Sequence, residues 1–165
     1  MQGTGTAADP YLITTPNDLK LVTGAAKHFK LMNDLDLTGF AFTYMYIDTG
    51  GSFDGNNKKI KNPTSSYRGI FYSNYGLIKN LTIENPTITN NTDSNAGGLC
   101  DYNTGTIENC QVIGGQVTLN MTNDYHQAGG LVGTNTNNAV IRRCKTVNVK
   151  VNGGNAAGGL VGRQM

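Results

Sequence analysis

The residues able to do chemistry are few, and their spacing argues against an enzyme. Hydrolysis of a glycosidic bond needs two carboxylates held about 5–10 Å apart. Asp34 and Asp36 are the one close pair that a single strand face would carry, and Asp54 is placed to approach them from a neighbouring coil. Asp34 reads more simply as a hydrogen-bond acceptor at a corner, and Asp36 as a solvated strand residue. A lyase needs an acidic cluster beside a basic proton acceptor, yet Glu84, Glu108, Lys79 and Arg142 stack into no such group. His28 and His126 lack a neighbour at metal-ligand spacing and read as surface residues. Cys100, Cys110 and Cys144 are an odd count with no CxxC and no Cys/His spacing suited to zinc. Nothing adjacent to them activates a thiolate. The expectation is a protein without catalytic residues, metal or cofactor.

Composition narrows the class further. In 165 residues there are 22 glycines and no tryptophan, with 38% hydrophobic and 15% charged residues. That mixture describes one domain of short strands joined by tight turns, neither membrane-spanning nor disordered. A net charge of +2 is too small for a nucleic-acid footprint, and the basic cluster Lys58, Lys59 and Lys61 has no interleaved aromatics. No apolar run approaches the roughly 20 residues of a transmembrane helix, so no membrane insertion is expected. Residues 1–6 have neither a basic nor an apolar stretch, which predicts no secretory leader.

The elements that would position any site are set by a repeat. Gly69-Ile70-Phe71, Gly98-Leu99-Cys100, Gly130-Leu131-Val132 and Gly159-Leu160-Val161 place the glycine before the aliphatic residue at steps of 29, 32 and 29 residues. Spacing of that length signals stacked supersecondary units. After each glycine the pattern continues in register: Leu77 to Ile83 matches Thr106 to Val112, and Ala139 to Val147 repeats it with two extra residues before Ile141. Three strand-like segments per repeat predict a three-sided coil with equivalent side chains stacked about 4.8 Å apart. The predicted inward ladders are Phe71, Cys100, Val132 and Val161; Ile78, Ile107 and Ile141; and Leu81, Cys110 and Cys144. Ahead of the repeats, Tyr11 to Ile13 reads as a strand. Thr15, Pro16 and Asp18 signal the start of a helix of two to three turns over residues 16–27 that would cover the open end of the stack. Phe29 to Leu37 reads as strand, corner, strand, and residues 50–57 as a turn cluster around a buried Phe53.

The lead-in Gly-Thr-Gly-Thr-Ala-Ala-Asp-Pro-Tyr-Leu-Ile, the helix start at Thr15 to Leu19, Leu31 to Leu37, the Phe53-Asp54-Gly55-Asn56 turn and the Gly-Gly-Leu-Val-Gly repeats together resemble right-handed parallel β-helix proteins carrying GLUG repeats. The resemblance covers essentially the whole chain. It implies an all-β, right-handed parallel β-helix with a short N-terminal capping α-helix, in one domain: lead-in and cap over 1–28, irregular first coils over 29–68, and GLUG-type repeats over 69–165. Such repeats occur in secreted bacterial adhesins, in non-catalytic regions of IgA-cleaving metallopeptidases and in phage structural proteins. The resemblance implies the fold more strongly than an activity.

Three surfaces are expected to bind. The corner loops 90–95 and 122–127 precede equivalent glycine pairs and would stack into one surface, with Asn91, Asp93, Asp124, Tyr125 and His126 as its candidate residues. Of the tyrosines Tyr44, Tyr46, Tyr67, Tyr72, Tyr75 and Tyr102, the pair Tyr75 and Tyr102 stands near one turn and could offer phenol faces to a sugar or protein. Leu160 and Val161 would form an uncovered edge that invites a neighbouring subunit. The reading is a non-enzymatic structural protein, a phage fibre or decoration component on the virion surface that assembles as a homo-oligomer or with other virion proteins. The alternative is a piece of a bacterial cell-surface adhesin with a glycan or protein receptor. A carbohydrate-active enzyme is the lesser alternative.

Overall fold

A computed structural model of the chain describes residues 1–23, 26–41, 43–92, 95–120, 126–136, 138–153 and 155–165. Every strand pairing among them is parallel. One full coil runs through Cys100–Asn103, Thr106–Glu108, Gln111–Ile113, Gln116–Leu119 and Gln127–Gly129, and Val132–Asn135 opens the next. Stacked coils gather these strands into four sheets, which is the architecture of a parallel β-helix. The expected three segments per coil are therefore five. The middle segment breaks in two because Asn109 takes φ 52° at its centre. The fifth strand, Asn95–Gly97 and its equivalents Gln127–Gly129 and Ala156–Gly158, is built from glycine, alanine and amide residues and carries no alternation to read.

The first two hydrophobic ladders pair residue for residue as the repeat predicts, and Leu81, Cys110 and Cys144 of the third pack into the main core immediately before residues paired in the same register. The Ile78 ladder extends back through Phe53 and Phe29 to Tyr11, one residue per coil. Phe53 is fully buried and meets Phe71 edge-on, ring centroids 5.3 Å apart. Each buried side chain of this size contributes about 1.5–3 kcal/mol. Ile88, Val117 and Leu119 pack with Ala96 and Ala128 into a second, smaller core. The repeat glycine exists for close approach: a Cβ on Gly98 would stand 2.3 Å from the Gly130 carbonyl oxygen, and one on Gly130 2.1 Å from that of Gly159.

Polar residues hold the corners. Asn74, Asn103 and Asn135 are buried at equivalent positions; each donates Nδ2–H to the next amide oxygen, at 2.7, 2.7 and 2.8 Å, with Gln164 as last acceptor. Two outer rows adopt left-handed backbone. Asn80, Asn109 and Arg143 form the first, at φ 55°, 52° and 53°, and Asn62, Asn85, Gly114 and Asn148 the second. Asparagine tolerates that conformation better than most residues. Asn109 Nδ2 donates to Asn80 Oδ1 at 3.1 Å, whereas Arg143 reaches Asn109 Oδ1 through Nε at 2.8 Å.

The start of the chain departs from expectation. The helix is a 3-10 helix, Pro16–Leu21, rather than a longer α-helix. Its bonds run three residues back, Asp18 N–H to the Thr15 carbonyl and Val22 N–H to that of Leu19. The Asp18 carboxylate tightens the first turn by accepting the N–H and hydroxyl of both Thr14 and Thr15. Leu19 is buried in the main core. Residues 50–57, read as turns, mostly belong to the long strand Ser52–Lys61. A register shift between Asp54 and Lys58, with Asn56 and Asn57 at positive φ, absorbs the turn chemistry as a bulge.

Asn103→Ala removes both the acceptor of Asn74 and the donor to Asn135, and a loss of about 2–3 kcal/mol in urea unfolding is expected. Arg143→Asn relieves a left-handed arginine and lets the outer amide row continue. Unfolding free energy should rise by about 1 kcal/mol in the same assay.

Candidate functional site

The first sheet face to gather unlike chemistry lies where Met45–Ile47 pairs with Phe71–Asn74. Alternation buries Phe71 and Ser73 and turns Tyr72 outward. Tyr44, just before the neighbouring strand, meets Tyr72 edge-on with centroids 5.6 Å apart. The Arg68 guanidinium carbon lies 3.8 Å from the Tyr72 ring centre and 5.2 Å from that of Tyr44. Such stacking contributes about 0.5–1 kcal/mol at exposed sites and fixes the rings' orientation. The Ser65 hydroxyl accepts the N–H groups of Tyr67 and Arg68, which shapes the turn that leaves Tyr67 63% exposed. Thr43, Tyr44, Ser65, Tyr67, Arg68 and Thr92 line a cleft of about 400 Å³.

Beneath this face lies a charge that the sequence did not advertise. Asp101 is 1% exposed, and its carboxylate accepts Gly69 N–H at 2.9 and 3.0 Å and Gly97 N–H at 2.9 Å. It stands where the next two copies of the repeat carry Gly133 and Gly162. That departure from Gly-Leu-Val-Gly was the available signal. Arg68 was missed because nothing in its neighbourhood sequence marks it as stacked.

The predicted binding residues divide. Tyr75 is exposed and Tyr102 half-buried; they flank the buried amide corner from opposite sides, Tyr75 after Asn74 and Tyr102 before Asn103, and occupy non-equivalent positions. Asn91 is exposed and accepts Asn120 Nδ2–H at 2.7 Å from the following coil; of the second corner loop, 122–127, only His126 and Gln127 are among the described residues. Thr92 carries that loop to the tyrosine cleft, joining two surfaces that the sequence treats separately. Asp93, Asp124 and Tyr125 lie outside the described residues. His126 is a correction: it is 6% exposed, held inside because its carbonyl accepts the N–H groups of Asn155 and Ala156 from the last coil. Leu160 and Val161 are half-buried, with Val161 paired to Val132 on the outermost strand of its sheet.

The carboxylates weighed for hydrolysis are structural acceptors. Asp34 takes the Lys59 N–H at 2.9 Å, and that bond lowers its pKa below the ordinary value, helped by Lys61. Asp36 takes the Thr38 hydroxyl and N–H and the Asn62 amide, which lower its pKa likewise. Asp54 binds Asn56 N–H and Asn80 Nδ2. A general acid needs the opposite shift. His28 Nδ1 lies 2.8 Å from the Ser52 hydroxyl, one coil apart, in a groove of about 470 Å³. Asp54 lines an adjoining groove with both, its carboxylate engaged by Asn56, Asn80 and Lys79. Among the described residues, no three His, Cys, Asp or Glu side chains meet as a metal site.

All three cysteines are free. Cys110 N–H points to Cys144 Sγ at 3.5 Å. The thiol hydrogen bond from Cys110 lowers the Cys144 pKa to about 7 from an ordinary 9.0, against the effect of partial burial. The same bond, then burial, pushes Cys110 up. Burial also raises Cys100.

Residues 124–152 match the family model described as the GLUG motif. A relative in Evansella cellulosilytica, provisionally described as a Gly-rich membrane protein, is 35% identical over 98% of this chain. Halomucin of Haloquadratum walsbyi is 32% identical over 87% of it. The chain spans 20% of the first relative's length and 2% of the second's. A crystal structure from Bacteroides ovatus, provisionally described as an immunoglobulin A1 protease, superposes with a TM-score of 0.63 at 20% identity, over 99% of this chain and 64% of that one. It shares the fold.

Cys144 should be the first thiol alkylated by iodoacetamide in the native protein. Because the thiolate reacts, its rate rises with pH through about 7. Cys100 and Cys110 should react at comparable rates only in denaturant, as peptide mass mapping will read.

Proposed function

We propose that this GLUG-repeat protein is a non-catalytic, surface-associated β-helix module that binds glycan through the face built by Tyr44, Tyr67, Arg68 and Tyr72. One observation carries the reading: exposed phenols stand around a guanidinium wedge at the rim of a cleft. Sugar rings offer apolar C–H faces that stack on such rings, while the threonine and serine hydroxyls of the cleft supply hydrogen bonds. The rings are held in place before any ligand arrives, which reduces the ordering cost of binding. A membrane-protein description for one relative supports a place at the cell surface, the adhesin-like alternative of the sequence reading. The virion role, the first expectation from the sequence, has no support among these relatives.

The outer edge of Val161–Gln164, with Leu160 and Val161 half-buried beside it, is the surface on which another β-helical coil or subunit would continue the stack. The carboxylates engaged in corner bonds support the non-catalytic part of the proposal.

A glycan microarray probed with the full chain should give hits among polysaccharides. Calorimetry on the best of them should show at least a tenfold weaker Kd for Tyr67→Ala at unchanged thermal midpoint, and the same loss for Tyr72→Ala with a midpoint lower by roughly 1–4 °C, a binding difference of about 1.4 kcal/mol or more. Equal binding by the variants would move the site elsewhere, and an array without hits would overturn the glycan reading.

A further inference from the structure

Cys110 and Cys144 follow the left-handed corner residues Asn109 and Arg143 in consecutive coils. In-register residues of neighbouring parallel strands stand about 4.8 Å apart at Cα, inside the roughly 4.4–6.8 Å that a disulfide spans. The 3.5 Å approach of Cys110 N–H to Cys144 Sγ places the Cys144 sulfur over the Cys110 backbone. Both cysteines line an open groove of about 430 Å³ whose other walls are Asn109, Gln111, Arg143 and Lys145. Cys144 is half-buried and reachable, Cys110 lies 1% exposed behind it, and two cationic residues, Arg143 and Lys145, line the groove, Arg143 being shared with the Glu108 carboxylate at 3.6 Å. Cys100, fully buried on a different ladder, has no place in the groove.

We propose that Cys144 and Cys110 form a thiol–disulfide exchange site for an anionic low-molecular-weight disulfide, with Cys144 as the attacking thiol and Cys110 as the resolving one. The Cys144 thiolate attacks one sulfur of RSSR, forming Cys144–S–S–R and releasing RS⁻. Cys110, giving up its proton to the released thiolate, attacks the Cys144 sulfur and expels the second RS⁻. Two cysteine thiols and one RSSR thus become one protein disulfide and two RSH, two electrons passing to RSSR. Arg143 and Lys145 would hold the carboxylates of a disulfide such as oxidised glutathione at the groove mouth. The bond formed clips the last coil to the one before it, in a compartment where disulfides persist if the chain works outside the cell. This site is independent of the tyrosine face.

The test incubates the reduced full chain with oxidised glutathione, then unfolds it in acid for intact mass and thiol titration. Three thiols should fall to one, with the mass of two hydrogens lost and peptide mapping placing the bond between Cys110 and Cys144. The unfolding midpoint should rise by roughly 5–10 °C and return on reduction. Cys110→Ser should stop at a glutathione adduct on Cys144, and Cys144→Ser should form neither product. A wild-type chain that keeps three thiols, holds a stable unresolved adduct, or oxidises through Cys100 overturns the proposal.

Discussion

An amide side chain that donates to its own equivalent one coil further on is satisfied only when the coils are in register. Asn74, Asn103, Asn135 and Gln164 are tied in this way through the interior, where an unmade hydrogen bond costs about 1–3 kcal/mol. The requirement fixes the position of every other residue. Once these amides coincide, the glycines before Leu99 and Leu131 must each face the glycine carbonyl of the next coil, and Ile78, Ile107 and Ile141 must overlie.

The sequence was most legible where one residue type does one job at every repeat. Glycine before an aliphatic residue and branched residues at matching positions made the ladders readable without any structure. Legibility failed where the backbone rather than the side chain decides. Asn109 looks like any strand asparagine until its φ turns positive, and the alanine and glycine of the fifth strand carry no alternation. The Ser52–Lys61 bulge hid a strand behind turn residues, because pairing on both sides outweighs local preference there. The candidate site was legible by type and not by place. The tyrosines were visible, but which of them meet depends on a guanidinium and on a register shift beside Met45. His126 misled because a polar residue in a loop-like stretch was drawn inward by backbone bonds from the last coil.

The tyrosine face and the cysteine groove share a construction. Each takes residues from consecutive coils, so neither exists in a single repeat. Tyr44 comes from one coil, Arg68 and Tyr72 from the next stretch of chain, and Cys110 and Cys144 from two stacked corners. A solenoid builds sites by translation, and the rigidity of the stack substitutes for the supporting shell that a globular enzyme would build around its site.

Asp101 has a consequence of another kind. A stack of near-identical coils has translational symmetry, and symmetry permits slippage by one whole repeat with most hydrophobic pairings kept. A buried carboxylate that accepts the Gly69 and Gly97 amides, at a position where the next two coils carry glycine, breaks that degeneracy. Displaced by one coil, it would lose the Gly69 amide, and a buried carboxylate deprived of a donor costs more than an aliphatic mismatch. The residue works as an index mark on an otherwise uniform scale, telling the chain which coil is which.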